Sequence, residues 1–502
     1  MKSFSEIEKE FGSFTFRDEE KSGHVSLNGD TTLIKIDSAK FLHFPKDQEN
    51  FFDFQTVVHG TTQIRFENAF YKIYPHIVND RRECRAEVYA NIVIINSDAL
   101  SKEGALTEIQ FELEGLNNHF YYKFMDHYYI DREDHKFSRS LRLHQTKKQK
   151  QLGSLIGVDL TDASETGGRV SEIYVLRRYP KIFSFRVGTQ KYECFYGYSQ
   201  RGLGWQGIEL KAKIFLRIVF DSPVSPQEAL DSVYEIRRFF SQQQMGSMSF
   251  SGIYGRSKSR KAHRFCSFYI PGEASNIKRN SSDNYYSDSG SIVLNRWSQR
   301  KSLTALLKEW LAHAEQRRRY RILIDAVGDE IMERFSLEQL ASLCSAVESL
   351  EELKGGDEIG RDVVRDMTAA AKKAASKHSV DLQDDRIHGC LSLLKRKSLS
   401  HRVKLMFNAV KKHFGSADIE IGLLTKSISE MRTVAVHGSS PPQDVSPKLL
   451  STNRALHALC VLYDIVTCDL ENRVLSEGEG HPAARVFRES YFQLRAINSR
   501  KK

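Results

Sequence analysis

A change in hydrophobic period near residue 225 divides this chain into a β-rich part and a helical part. From about Thr31 to Val219, short β-branched and aromatic runs are separated by glycines and Asn/Asp clusters. That pattern is typical of antiparallel strands. The segment Ser225–Glu228 (SPQE) is then a capping box with proline at the first helical position, followed by apolar residues at helical spacing up to about Gly246. We predict a sandwich- or barrel-like β-rich domain over residues 1–245, closed by one helix.

The remainder of the chain changes to a helical pattern. Residues 246–300 combine two apolar runs with a loop rich in Ser, Asn and Asp, and we predict a strand-plus-loop connector there. From about residue 301, apolar residues recur at helical spacing, and Ser336 with Gln339 forms a second capping pattern. Short connections between helices are typical of an antiparallel bundle. The predicted fold class is α+β in two parts, with an all-α bundle over residues 301–502.

Composition places the chain among intracellular globular proteins. A chain of 502 residues is too long for a single hydrophobic core, and 40% of its residues are hydrophobic, as in globular proteins. The seven cysteines form no C-x-x-C pair, which favours a reduced, cytoplasmic environment. The polar N-terminus lacks the apolar run of a signal peptide, and Ala455–Val466 is far shorter than the ~20 residues of a membrane span. We expect no membrane association, no metal site and no cofactor.

Two residues near the end of a predicted helix are suited to chemistry. Arg432 and His437 are five positions apart, and Gly438 follows as a typical helix stop. The dipole at the helix C-terminus favours the imidazolium form of His437, and the arginine supplies a permanent positive charge. Such a pair suits metal-independent RNA cleavage, in which the ribose 2′-OH attacks the adjacent phosphorus. The products would be a 2′,3′-cyclic phosphate and a 5′-OH.

The R-x4-H spacing alone is a weak signal. Arg139/His144 and Arg396/His401 share it, and a surface arginine before a helix-capping histidine would also produce it. Arg396/His401 is the second candidate catalytic pair, although we expect it to bind substrate instead. Arg139/His144 lies in a predicted loop with nearby lysines, and is either a second polyanion patch or a solvated loop.

The segment before the Arg432 helix is strongly basic. Between Arg386 and Ala417 there is no Asp or Glu, but there are eight Lys and Arg residues. This charge pattern predicts a phosphate-binding surface, and a solvated polar face is the alternative. The predicted RNA-binding residues are Lys395, Arg396, Lys397, Arg402, Lys404, Lys411 and Lys412.

A helical bundle with a late Arg-x4-His-Gly motif and a basic preceding helix resembles a HEPN domain. More narrowly, the chain resembles the ApeA-type anti-phage proteins, in which a β-rich N-terminal domain precedes a C-terminal HEPN ribonuclease. The helix that starts at Ser225 is similar to one in that family's N-terminal module. The resemblance implies that Arg432 and His437 are catalytic, with Glu430 and Thr433 as supporting residues. It also implies that two HEPN domains pair into one cleft, in a homodimer or higher homo-oligomer.

The resemblance implies a metal-independent endoribonuclease that cleaves host RNA, such as tRNA, in abortive anti-phage defence. Its trigger would be a phage-encoded protein or other phage product sensed by the N-terminal domain. The alternative is a non-catalytic, degenerate HEPN module that binds RNA or protein. Thr433 would then mark lost chemistry, because HEPN nucleases commonly have Asn, Asp or His directly after the arginine. An enzyme in the β-rich domain is a third reading, without paired carboxylates or metal-ligand spacing to support it.

Overall fold

The computed structural model confirms a two-part α+β chain with an antiparallel sheet in its N-terminal half and helices in its C-terminal half. The residues that the structure describes are 10–16, 19–28, 31–38, 52–58, 62–78, 81–100, 105–116, 125–130, 171–176, 181–202, 208–257, 265–270, 300–328, 336–353, 361–378, 398–414, 419–437, 445–468 and 481–499.

The described strands form a twelve-stranded sheet and a separate pair made of β8 and β9. Every pairing between them is antiparallel. In chain order the strands are β1 (Glu10–Phe16), β2 (Glu19–Asn28), β3 (Thr31–Ser38), β4 (Phe52–Val58), β5 (Thr62–Val78), β6 (Arg81–Ile95), β7 (Leu106–Leu113), β8 (Met125–Ile130), β9 (Ser171–Leu176), β10 (Lys181–Val187), β11 (Gln190–Gly202), β12 (Ile208–Val224), β13 (Phe250–Arg256) and β14 (Cys266–Tyr269).

Six strands close into a barrel-like circuit. Strand β6 pairs with β5 along one edge and with β3 along the other. From β3 the pairing continues through β2, β1 and β4, and returns to β5. Closing a sheet on itself leaves its strands without free edges, so the circuit agrees with the barrel-like arrangement that the alternating sequence predicts.

The predicted connector of residues 246–300 contributes two interior strands to the same sheet. Strand β14 pairs with β6, β13 pairs with both β14 and β7, and the sheet continues through β12 and β11 to β10. The two apolar runs of the predicted connector are therefore strands that pair with each other, and both also pair with strands of the β-rich part. Local sequence pattern identifies a strand but not its distant partner, and β13 joins β7 across more than a hundred residues of chain.

Helix α1 (Pro226–Gln244) begins as its sequence predicts. The Ser225 backbone N–H donates to Glu228 Oε2 at 2.9 Å, and the Glu228 backbone N–H donates to Ser225 Oγ at 3.3 Å. This reciprocal pair satisfies two donors at the helix start. The helix ends at Met245, which adopts a left-handed conformation with φ 55°. Its apolar face, including Phe239 and Phe240, is buried.

The other described helices form the C-terminal bundle. Ser336 and Gln339 make the second predicted capping box, at the start of α4. Helix α8 is central, because it contacts α2, α3, α4, α6, α7 and α9. None of the described helices has the length and apolarity needed to cross a membrane. The helices are α2 (Arg300–Ala312), α3 (Ala314–Gly328), α4 (Leu337–Ser349), α5 (Arg361–Lys377), α6 (Leu399–Val410), α7 (Ile421–His437), α8 (Val445–Cys468) and α9 (Pro482–Ser499).

One continuous hydrophobic core includes residues from the sheet, α1 and the bundle. The Phe239 ring of α1 packs edge-on against Trp310 of α2, with ring centroids 5.4 Å apart. Arg237 of α1 also pairs with Asp325 of α3 at 2.8 Å. The β-rich part and the bundle are therefore joined by packed side chains as well as by the chain.

A fully buried ion cluster lies inside the bundle. Asp464 of α8 accepts from Arg321 Nε at 3.0 Å and from Arg317 Nη1 at 2.7 Å, and neither Asp464 nor Arg321 is exposed to solvent. The Arg321 guanidinium also lies 3.6 Å from the Trp310 ring centroid. Arginine bound to both carboxylate oxygens and stacked on an aromatic ring is held in a fixed orientation.

We predict that Asp464→Asn lowers the free energy of unfolding by about 3–5 kcal/mol, because it leaves two buried arginines without that carboxylate. Asparagine keeps the side-chain shape, so cavity formation does not contribute. Asp366→Asn is the matched control, because the Asp366 side chain is 80% exposed, and it should change the free energy by less than about 0.5 kcal/mol. Urea unfolding followed by tryptophan fluorescence measures both, and equal effects would contradict the prediction.

Candidate functional site

Helix α7 carries the predicted Arg432–His437 motif. Leu424, Ile428 and Met431 form its buried stripe, each no more than 2% exposed. This i, i+4, i+7 spacing anchors one face of the helix in the core. Arg432 follows Met431 directly and is therefore rotated out of that face, so its side chain is 44% exposed. His437 is the last residue of the helix, and its side chain lies outside the part that the structure describes.

Arg432 is paired with a carboxylate from another helix. Its Nη1 donates to Glu348 Oε1, near the end of α4, at 2.9 Å. Both side chains are more than two-fifths exposed, so the pair contributes little to stability. Its consequence is geometric, because it holds the Arg432 guanidinium beside α4. The remaining donors of the guanidinium are compatible with contact to a phosphate.

Arg402, a predicted RNA-binding residue, is buried beneath this pair. It is 4% exposed, and its Nη1 donates to the backbone carbonyl oxygen of Glu348 at 2.9 Å. The last carbonyl groups of a helix lack partners within the helix, and a cation there is favoured by the helix dipole. We therefore remove Arg402 from the predicted RNA-binding set: it supports the end of α4 that carries Glu348.

The two predicted supporting residues are bound elsewhere. Glu430 pairs with Lys448 of α8, whose side chain is 8% exposed, and lies 4.0 Å from Lys426 of its own helix. Thr433 Oγ1 donates to the Ser429 backbone carbonyl at 2.9 Å. The carboxylate that binds Arg432 is that of Glu348 and not that of Glu430.

The predicted basic surface is described only in part. Lys404 of α6 and the next two predicted lysines, Lys411 and Lys412, are exposed. The latter two lie in a 3-10 helix, Lys411–Phe414, that follows α6. Lys395, Arg396 and Lys397 lie outside the described residues, as do Arg139 and His144. His401, the partner of Arg396 in the second candidate motif, is exposed in the first turn of α6.

The surroundings of Arg432 contain a cysteine but no described metal cluster. Cys344 lies one turn before Glu348 on α4, and burial raises the pKa of its thiol to about 11. The thiol therefore stays neutral near pH 7, which disfavours it as a nucleophile. In the segments that the structure describes, no group of three or more His, Cys, Asp or Glu side chains is arranged to hold a metal ion.

Sequence reasoning missed Glu348 and Lys448. Glu348 lies 84 residues before Arg432, in a segment with several other glutamates. No local spacing distinguishes it from those neighbours. Lys448 lies 18 residues after Glu430 and is buried in the packing of α8. Both contacts depend on how the helices pack, which the sequence period does not specify.

The fold and the site define a two-part protein with an antiparallel sheet and a helical bundle. In the bundle, the exposed Arg432 lies where α7 packs against α4. The profile described as ApeA N-terminal domain 1 matches residues 5–310, more than half of the chain. The chain belongs to the ApeA family, and that family is one of anti-phage defence proteins. No curated protein and no solved structure matches the chain. The matched region includes β13, β14, α1 and most of α2.

We predict unequal losses of stability for changes in the two arginines that contact Glu348. Arg402→Gln should lower the free energy of unfolding by about 2–3 kcal/mol, because the charged hydrogen bond from a buried guanidinium to a helix-end carbonyl is lost. Arg432→Gln should change it by less than about 1 kcal/mol, because its ion pair is exposed. Urea unfolding of both variants checks this. A stable Arg402→Gln protein that had lost RNA affinity would restore the RNA-binding interpretation.

Proposed function

We propose that the C-terminal bundle is a HEPN domain and that the protein is a metal-independent endoribonuclease in anti-phage defence. The observation that carries the proposal is the exposed Arg432, held by Glu348 and five positions before the histidine that ends the same helix. Membership of the ApeA family supports the defence role. Host RNA, such as tRNA, is the proposed substrate.

The chemistry follows from the two side chains. The 2′-OH of a ribose gives its proton to a water molecule and attacks the adjacent phosphorus, and the bond to the 5′-oxygen of the next nucleotide breaks. His437 manages a proton in this exchange, and its place at the helix C-terminus favours the imidazolium that protonates the leaving oxygen. The Arg432 guanidinium stabilises the charge that develops on the phosphoryl oxygens.

Glu348 is proposed as a positioning residue. Arginine has several rotatable bonds, and a carboxylate bound to Nη1 restricts the guanidinium before substrate arrives. Because the pair is exposed, it is weak enough for a phosphate to rearrange. Arg402 binds the backbone carbonyl of Glu348. The buried Arg402 therefore supports Glu348, and Glu348 in turn supports Arg432.

The proposed RNA surface combines the exposed lysines of the α6 region with the undescribed basic segment. Lys404, Lys411 and Lys412 are exposed, and Lys395, Arg396 and Lys397 precede them in sequence. The helix that carries Lys404 packs against α7, and cations there and in the adjoining segments would bind successive phosphates. A second copy of the chain is proposed to complete the cleft, and a phage-encoded product sensed by the N-terminal part is proposed as the trigger.

A non-catalytic HEPN module that binds RNA or protein is the second candidate. It is favoured by Thr433, whose hydroxyl donates to the backbone of its own helix. The Thr433 hydroxyl proton is therefore used within the helix and is not donated to a substrate. HEPN nucleases commonly have Asn, Asp or His at this position. In a binder, neutralising Lys395, Arg396 and Lys397 would matter more than changing His437.

We predict that Arg432→Ala and His437→Ala each abolish phage protection and lower cleavage of total host RNA about 100-fold or more. Each change removes a group that the transition state requires. RNA affinity should stay close to that of the unaltered protein. Cleavage in EDTA, sequencing of product ends and plaque counts measure this. Arg365→Ala is the control, because the Arg365 side chain is 76% exposed on α5. Variants that still protect and cleave would make Arg432 and His437 structural.

We predict that Glu348→Gln lowers kcat roughly 10- to 100-fold with little change in KM, because the guanidinium loses its restraint but keeps its charge. Glu348→Asp should recover part of the rate, since it restores a carboxylate. Single-turnover cleavage of one labelled RNA separates the two constants. An unchanged kcat in Glu348→Gln would remove Glu348 from the proposed machinery.

A further inference from the structure

A second charged surface lies on the sheet, away from the Arg432 motif. Direct register pairs place Glu193 opposite Arg217 and Phe195 opposite Phe215. The cross-strand neighbours continue over β7 and β13, where Arg256 is opposite Glu108. Side chains of directly opposed residues point to the same face. We call this surface the cationic sheet face, with members Lys181, Lys191, Glu193, Phe195, Lys213, Phe215, Arg217, Glu108, Glu112, Tyr254 and Arg256.

The alternate residues of the same strands point to the opposite face and form the core. Cys194, Leu216 and Ile218 are at most 1% exposed, and they belong to the core shared with the helices. The cationic sheet face is therefore the side of β7, β10, β11, β12 and β13 that faces away from this core. A ligand bound there would not occupy the Arg432 motif on α7.

Acidic groups on this face lie beneath basic ones. The side chain of Glu193 is 1% exposed, whereas Lys181 and Lys191, which bind it at 2.7 and 2.9 Å, are 50% and 42% exposed. Arg217 Nε binds the same carboxylate at 2.8 Å. Burial alone would raise the pKa of Glu193, but hydrogen bonds from these three cations outweigh it and lower the pKa to about 2. Glu193 therefore remains charged and buried.

The same layering recurs beside Glu193. Glu112 and Glu108 are each 8% exposed at the side chain, and they bind Lys213 and Arg256, which are 31% and 35% exposed. Across the face, five cations therefore cover three carboxylates, because Lys181, Lys191 and Arg217 share Glu193. The surface that meets solvent carries an excess of positive charge. A face of ordinary solvated ion pairs would expose both signs.

Two aromatic rings lie across glycines on this face. A Cβ built on Gly197 would come within 2.4 Å of the Phe215 ring, and one on Gly252 within 2.4 Å of the Tyr254 hydroxyl. The missing side chains leave room for the rings to lie over the strands. Phe215 also stacks on Phe195 with centroids 5.6 Å apart. The Arg217 guanidinium lies 5.4 Å from the Phe195 centroid.

We propose that the cationic sheet face binds single-stranded nucleic acid. Partly exposed cations spaced over adjacent strands bind the phosphates, and the rings across the glycines stack with bases. An acidic protein would use the cations but would leave the aromatic rings without a matching partner. This site is separate from the proposed nuclease site, and a ligand there is an effector and not the cleaved RNA.

The test uses full-length protein and a fluorescent 20-nucleotide oligo-dT, which has no 2′-OH and cannot be cleaved by the proposed chemistry. Lys181→Gln/Lys191→Gln removes two cations and leaves Glu193 paired with Arg217. We expect about 10-fold weaker binding and a log–log salt slope smaller by about 1.4, from two lost phosphate contacts. Phe215→Leu should weaken binding about 5-fold or more, because it removes a stacking surface.

Lys373→Gln/Lys377→Gln on α5 is the matched control, since both lysines are exposed and belong to the bundle. It should leave oligo-dT affinity within about twofold, and circular dichroism should show that all variants are folded at the temperature of the binding assay. Ultraviolet crosslinking, followed by peptide mapping, should place oligo-dT on the strands of the face, residues 106–113, 181–202, 208–217 or 250–256. Bound oligo-dT that crosslinks only to other segments would overturn the proposal.

Other results overturn it as well. Unchanged affinity in both sheet variants, or an equal loss in the control, rules out this surface. Binding of poly-glutamate without binding of oligo-dT would identify an acidic-protein site instead. Oligo-dT binding and cleavage of RNA are independent measurements, so either proposal is able to fail while the other stands.

Discussion

The buried contact of Asp464 with Arg317 and Arg321 holds α3 against α8, and the β-rich part packs on this pair of helices through α1 and α2. Arg321 lies on the Trp310 ring, and Trp310 packs against Phe239 of α1. Asp464, which has no exposure to solvent, is thus connected through three successive contacts to α1, the helix that follows β12. Separating these helices would expose the aromatic rings to water and would leave a buried charge without its partner, and both changes are costly. The ApeA N-terminal domain match ends at residue 310, inside this packed region.

Sequence identified the features that depend on neighbours within a few residues. The capping boxes at Ser225 and Ser336 need only a serine and an acceptor three positions later, so both were predictable. The apolar spacing and Gly438 likewise predicted a helix that ends near His437, and α7 ends at that residue. The places of β13 and β14 in the sheet were not predictable in this way, because their partners are far away in sequence.

The candidate site shows the same division between local and distant information. The R-x4-H spacing identified Arg432 but not Glu348, whose selection depends on the approach of α4 to α7. Arg402 appeared equivalent to its basic neighbours in sequence. In the structure it differs from Lys404, which is exposed, because Arg402 points inward to the end of α4. Charge composition predicts an electrostatic surface, but burial decides which cations belong to it.

The depth of the carboxylates explains why similar arginines have different roles in this chain. Asp464 is as deeply buried as Arg321, so both charges are neutralised inside the core and the pair serves structure. Glu348 and Arg432 are similarly exposed, so the arginine is oriented while it keeps access to solvent. On the sheet, Glu193 lies below Lys181 and Lys191, whose side chains reach solvent. Its carboxylate holds the two lysines in position, and the solvent-facing surface stays positively charged. A buried carboxylate beneath a cation loses hydration, and that cost is offset only when several donors share it. Three donors on Glu193 meet that condition, and their surplus charge is what a polyanion would contact.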